Sequence, residues 1–184
     1  VHPDDYHLLG FKWSGKYYFD KTLPMGCRSS CQIFESFSSA LEWVARRRLK
    51  ILGVTHILDD YLLICVSEES GHRAKHDFED LCGDLGVPLA PEKLEGPAQC
   101  LTYTGIEFDT ILMEARLPPD KLSKARSKIQ DALGKAKITL KELQSIIGLL
   151  NFCNKVVRPG RAFLRRLINL TIGVSNPHHH IRLT

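Results

Sequence analysis

Two adjacent carboxylates, Asp59 and Asp60, sit between two short apolar runs, residues 54–58 and 61–66. Each run is rich in β-branched, aromatic and leucine residues and reads as a buried strand. Asp is a turn residue, so the pair falls at the tip of a β-hairpin. Like charges held there repel each other unless a cation sits between them. A divalent ion taking oxygen ligands would relieve that repulsion. Asp-Asp is also common in ordinary turns, so the dipeptide alone leaves both readings open. Other residues of the right type are less suggestive. His72 and His76 lie one helical turn apart, a metal-compatible spacing, but no acidic or cysteine partner completes a motif, which favours a surface pair. The six cysteines have no zinc-ligand spacing and mostly fall within apolar patterns, which suggests reduced core thiols in a reducing compartment.

The chain that must position these groups has 184 residues, enough for one ordinary domain or for a larger one cut short plus a small one. Its hydrophobic content of 43% and charged content of 25% fit a soluble globular protein. No apolar run approaches a membrane span, and the charged start lacks the apolar segment of a signal peptide. An intracellular location, cytoplasm or nucleus, is therefore expected. The first residue is Val rather than Met, as in a fragment of a longer chain. A net charge of +4 hides an asymmetry: residues 1–115 hold 11 Lys/Arg against 18 Asp/Glu, whereas residues 116–172 hold 13 against 3. An acidic half with candidate metal ligands followed by a basic half suggests a polyanion held near a metal, although basic residues also simply solvate helix faces.

Along the chain, residues 7–13 and 16–21 read as two strands joined by Ser14-Gly15. Leu23-Pro24-Met25-Gly26 forms an irregular loop where backbone can approach a ligand closely. A helix over residues 29–50 follows, with Ser29 or Ser30 as N-cap and Ile33, Phe34, Phe37, Leu41, Val44 and Ala45 as its buried stripe. Arg46, Arg47, Arg48 and Lys50 crowd its C-terminal end, where they suit either the helix dipole or a phosphate. After the Asp-Asp hairpin, Ser67 caps a helix with an apolar stripe of Phe78, Leu81, Cys82 and Leu85, ended by Gly86. A loop with Pro91 and Lys93 precedes two strands, residues 101–108 and 111–117. Three basic helices complete the pattern: one from Pro119 to about Leu133, one opened by the capping box Thr139-Leu140-Lys141-Glu142, and one from about Pro159. The predicted domains are residues 1–117, 118–172, and a connector over 173–184 leading to a further domain.

This order of elements, with its motifs, resembles the palm and thumb of a reverse transcriptase. Leu23-Pro24-Met25-Gly26, followed by Ser30, Cys31 and Phe34, is similar to motif B. Ile57-Leu58-Asp59-Asp60 is similar to motif C, Lys93 stands where motif D carries its lysine, and Tyr103-Thr104-Gly105-Ile106 resembles the primer grip of motif E. Val1-His2-Pro3-Asp4 and His7-Leu8-Leu9-Gly10-Phe11 resemble the stretch just after motif A. The wording is nearest to retroelements of the DIRS type or related LTR type. The resemblance covers nearly the whole chain, and five motifs in the right order carry it.

The resemblance implies an α+β fold, with an antiparallel palm sheet packed on helices followed by an all-α thumb bundle. It also implies an RNA-directed DNA polymerase that extends a primer by attack of the 3′ hydroxyl on a deoxynucleoside triphosphate, assisted by Mg2+ or Mn2+. Asp59 then ligates metal, Asp60 is a second or nearby acid, and Lys93 meets the departing phosphate. Pro24, Met25, Gly26 and Phe34 contact nucleotide and template, and Tyr103 to Ile106 position the primer. Lys121, Lys124, Lys128, Arg161 and Arg165 follow the backbone of an RNA or DNA template-primer without reading sequence. No membrane partner is implied. The family's motif A carboxylate and fingers would lie upstream, and a ribonuclease H could follow. Ile57 replaces the usual Tyr and Cys31 the usual Pro. Without the motif A Asp, the 184 residues are expected to be inactive alone. Two rivals remain: a non-catalytic nucleic-acid-binding remnant, and a palm-like scaffold whose basic face only solubilises it.

Overall fold

The computed structural model describes residues 2–183. Val1, which opens the stretch likened to the sequence after motif A, and Thr184, which ends the expected connector, lie outside them. The fold is α+β, with small antiparallel sheets and helices in two compact units that divide between Ala98 and Gln99. Among the described residues, no helix is long and apolar enough to cross a membrane.

In the first unit, Pro3 opens a 3-10 turn, Pro3–Leu9, and the expected first strand shortens to β1, Gly10–Trp13. Proline's fixed φ suits the first helical position, so His7, Leu8 and Leu9 are drawn into the turn. Strand β2, Lys16–Phe19, pairs with β1 through Ser14 and Gly15, both at positive φ, the two-residue geometry that matches strand twist. Helix α1, Ser30–Arg48, leads to strand β3, Gly53–Ile57, strand β4, Asp60–Ile64, and helix α2, Glu68–Asp84. Leu41, Ala45 and Leu49 of α1 and its end meet Val54 of β3 and Phe78, Leu81 and Cys82 of α2 in one buried cluster. Burying each leucine, valine or phenylalanine of the cluster contributes about 1.5–3 kcal/mol. The cluster gathers on the C-terminal half of α1, so Ile33, Phe34 and Phe37, expected in the buried stripe, stay about half exposed, as does Leu85. Ser29 stands at the N-cap of α1 as expected but its side chain makes no capping bond, and Ser30 Oγ donates to Pro24 O at 2.9 Å. Ser67 does cap α2, reciprocally with Ser70.

The second unit opens with a three-stranded sheet of β5, Cys100–Tyr103, β6, Ile106–Asp109, and β7, Glu114–Arg116. The single strand expected over residues 101–108 is thus a hairpin, because Thr104 and Gly105 both take positive φ. A Cβ built on Gly105 would stand 3.2 Å from Phe152 Cζ, so this turn packs against the helical part. The compact unit therefore starts well before the boundary expected at 117/118. Arg116 closes the sheet edge on Glu107, Asp109 and Glu114. Helices α3, Pro119–Leu133, α4, Leu140–Cys153, and α5, Gly160–Asn169, match the expected three.

Two further strands were not legible as strands: β8, Lys137–Thr139, and β9, His180–Arg182, which pair antiparallel. Ile138 and Ile181 join Leu140 and Leu143 in a second buried cluster. The described part of the expected connector is thus integrated into this unit's core, since the register puts Ile181 opposite Ile138. All six cysteines are free, but only Cys82 and Cys153 are buried. The core-thiol expectation therefore holds for those two, whose pKa values burial raises.

The start of α4 makes a pH prediction. Glu142 accepts from Lys135 Nζ at 2.8 Å, Thr139 N at 2.8 Å and Thr139 Oγ1 at 2.9 Å, and these bonds, Lys135 first, hold its pKa at about 2. A carboxylate lowered on folding adds stability above its unfolded pKa, which is lost as pH falls through the folded value. Thermal melts of the second unit should therefore weaken between about pH 4.5 and 2, and Glu142→Gln should flatten that limb.

Candidate functional site

The hairpin register pairs Val54 with Leu63, His56 with Tyr61 and Ile57 with Asp60, which leaves Leu58 and Asp59 as the two-residue turn. Asp59 therefore sits in the turn and Asp60 begins β4, a finer placement than both at the tip. Strand side chains alternate between faces. Val54, His56, Tyr61 and Leu63 share the face turned to the helices, and Ile57 and Asp60 share the other. Asp59 and Asp60 are both exposed. Leu58 has φ +54°, a region that branched and bulky side chains avoid, so the turn that presents the acid pair is held under backbone strain.

A part-buried polar network fixes this hairpin to α1. His56, with its side chain 7% exposed, has Nδ1 2.5 Å from Glu42 Oε2 and Nε2 3.2 Å from Glu35 Oε1. An ionised carboxylate only accepts, so Nδ1 carries the proton of the Glu42 bond. Glu42 also accepts from Arg46 Nε at 2.8 Å, and Arg46 Nη2 donates to Val54 O at 2.5 Å. Burial pushes the Glu42 pKa up, but the bonds from His56 and then Arg46 outweigh it and leave the pKa lowered. Tyr61 stacks on His56 at 5.4 Å and donates to Ser38 O at 3.1 Å. The sequence reading missed this network. Its signal was a histidine at the inward parity of an apolar strand, three residues before the acids.

Among the described residues, no group of three His, Cys, Asp or Glu side chains is arranged to hold a metal ion. His72 and His76 are exposed and lie against Glu68 and Asp80 on their own helix, as a surface pair would. In the 23–26 loop, Gly26 has φ +88° with open space around it, so its conformation rather than a close approach demands glycine. Met25 is fully exposed, and Phe34 is half-buried beside Phe37. Lys93 is exposed on the 3-10 turn Pro91–Lys93. Of the basic residues at the end of α1, Arg46 serves the network and Arg47 lies over Trp43, 5.1 Å from its ring centroid.

In the second unit, Tyr103 to Ile106 form the β5–β6 turn, with Ile106 buried. Lys121, Lys124 and Lys128 follow one stripe of α3 by their spacing of three and four. Lys121 lies over Phe152, Lys128 Nζ donates to Ser145 Oγ at 2.6 Å, and Lys124, Arg161 and Arg165 are exposed. Residues 99–184 carry 14 Lys/Arg against 6 Asp/Glu, while residues 1–98 carry 11 against 15.

An α+β chain with this hairpin and these helices is similar in fold to a portion of a viral protease-reverse transcriptase. A structure of the foamy viral protease-reverse transcriptase dRH in complex with double-stranded DNA matches 100% of the chain at TM-score 0.69 and 21% identity, using 30% of its own length. The foamy viral enzyme in complex with an RNA/DNA hybrid matches equally at TM-score 0.69 and 21% identity, using 23%. By sequence, the Gag-Pro-Pol polyproteins of Simian retrovirus SRV-1 and Mason-Pfizer monkey virus are each 24% identical over 196 aligned positions, covering 100% of the chain. The chain spans about a tenth of the length of those curated relatives. No family model matches it.

Proposed function

We propose that the chain is the palm-and-thumb portion of a retroelement RNA-directed DNA polymerase, of the DIRS type or a related LTR type by its motif wording. The observation that carries this reading is the exposed Asp59-Asp60 pair on a strained hairpin anchored to α1, in a chain similar in fold to part of the foamy viral protease-reverse transcriptase. The donor set fits Mg2+ or Mn2+, hard cations that polymerase sites hold through one or two carboxylates together with substrate phosphates. Bound there, such an ion supplies charge stabilisation and a lowered pKa at the primer hydroxyl. Asp59 would hold the ion, with Asp60 beside it. His56, Glu42 and Tyr61 keep the acids in register with α1. Lys93 would offer a cation or proton to the leaving phosphate of a deoxynucleoside triphosphate. The Tyr103–Ile106 turn would position the primer end. Lys121, Lys124, Lys128, Arg161 and Arg165 would follow the backbone of a template-primer duplex, a partner supported by the complexes of the structural neighbours. A further carboxylate from upstream would complete the site.

One observation favours a second reading, nucleic-acid binding without catalysis: no third metal-ligating side chain joins the acid pair among the described residues. A single experiment treats both. The 184-residue chain should bind RNA–DNA hybrid of any sequence, weakening steeply as salt rises, yet extend no primer with Mg2+ or Mn2+. Joining an upstream segment that supplies a carboxylate should restore extension, and Asp59→Asn should abolish it again. Hybrid binding with no extension in the joined protein would leave the second reading standing. Failure to bind hybrid at low salt would overturn both.

A further inference from the structure

The β1–β2 ribbon has a composition and exposure that the polymerase reading does not use. Residues 10–19 run Gly, Phe, Lys, Trp, Ser, Gly, Lys, Tyr, Tyr, Phe: five aromatics, two lysines, no aliphatic side chain and no acid. All eight strand residues are exposed. A hairpin that covered a protein core would bury one face and would draw on leucine, isoleucine and valine. The register puts Phe11 opposite Tyr18 and Trp13 opposite Lys16. By strand alternation these four share one face. Phe11 and Tyr18 lie nearly parallel, 22° apart with centroids 5.7 Å distant, and Trp13 on the same face is 71% exposed. Across the ribbon, Lys12 Nζ lies 5.4 Å from the Tyr17 ring centroid, and Phe19 stacks on Tyr6.

The geometry points to the Phe11, Trp13, Lys16 and Tyr18 face as a docking surface for the unpaired bases of a single-stranded nucleic acid. Exposed aromatic rings accept bases of any identity, because every base has a π-face, and the Lys16 ammonium group beside them suits the phosphate that links the bases. A surface that is aromatic and cationic, with neither aliphatic nor acidic side chains, is complementary to stacked bases and phosphate rather than to an apolar peptide. This proposal stands apart from hybrid binding by the basic helices, since the residues of each lie in different units.

Trp13 and Trp43 are the two tryptophans of the chain, so the full-length Trp43→Phe protein reports on Trp13 alone. Oligo(dT) should quench that emission saturably at low salt. Tyr18→Ala or Phe11→Ala should weaken the binding by roughly 5- to 150-fold, the range that loss of one stacking partner gives. Lys16→Ala should reduce its salt dependence. Arg73→Glu, at an exposed cation 3.8 Å from Glu69, should leave the Trp13 signal unchanged. Circular dichroism should show each variant folded, as expected for exposed positions. Absence of quenching, or equal quenching in wild type and ring variants, would overturn the proposal. So would concentration-dependent self-association that buries Trp13 while oligo(dT) has no effect, because the ribbon would then be an interface between copies.

Discussion

Reversing charge at Lys124, Lys128 and Arg165 together should lower affinity for RNA–DNA hybrid by roughly a thousandfold at low salt. The estimate follows from counterion release. Each neutralised phosphate contributes about 0.9 to the slope of log affinity against log salt, which near 50 mM is about tenfold in affinity per contact. Three lost contacts should also flatten that slope by roughly 3. Lys124 and Arg165 are exposed, and Lys128 is held by Ser145, so none is tied into a core whose loss could mimic the effect. Arg73→Glu serves as the control. It changes an exposed cation of the acidic unit that lies 3.8 Å from Glu69, and it should leave hybrid affinity almost unchanged. Fluorescence anisotropy of a labelled hybrid, read across salt concentrations, measures both quantities. Unchanged affinity in the triple variant would return the basic helices to a solubilising role and support the scaffold reading.

Local signals carried much of this fold. Ser14-Gly15, the capping box at Thr139 and the Pro119 helix start were legible because each is decided by a few neighbouring residues. The α+β class came with the family that the order of elements and motifs resembles. What stayed hidden depends on distant partners. Ile33, Phe34 and Phe37 have helical spacing, yet periodicity does not say whether anything covers the stripe, and in this chain nothing described buries it. Lys137–Thr139 is too short to read as a strand until His180–Arg182 pairs with it. The 101–108 run hid its turn because Thr104, a β-branched residue, adopts positive φ. At the candidate site the acids were legible from residue type. Their anchoring was not, because His56 and Glu42 lie 14 positions apart and meet only once β3 packs on α1.

Trimming Leu143 or Ile181 to alanine should each destabilise the second unit by about 2–5 kcal/mol, the usual cost of removing a large buried aliphatic side chain. Leu143 is 0% and Ile181 7% exposed, and both sit in the cluster with Ile138 and Leu140. For a unit of this size the melting temperature should fall by roughly 10–30 °C. The two losses should not add, because the side chains share one cluster and the first cavity already loosens the second site. Hydrogen exchange followed by segment locates the effect: protection should drop across α4, β8 and β9, while Leu41, Phe78 and their neighbours keep theirs, since they belong to a separate core. The Ile181 result carries the greater weight. A flexible connector would tolerate alanine there within a few tenths of a kcal/mol, as exposed positions do. A large loss would mean that the last strand closes the sheet beside α4, and that any truncation upstream of His180 removes part of the core into which α4 and Leu167 of α5 pack.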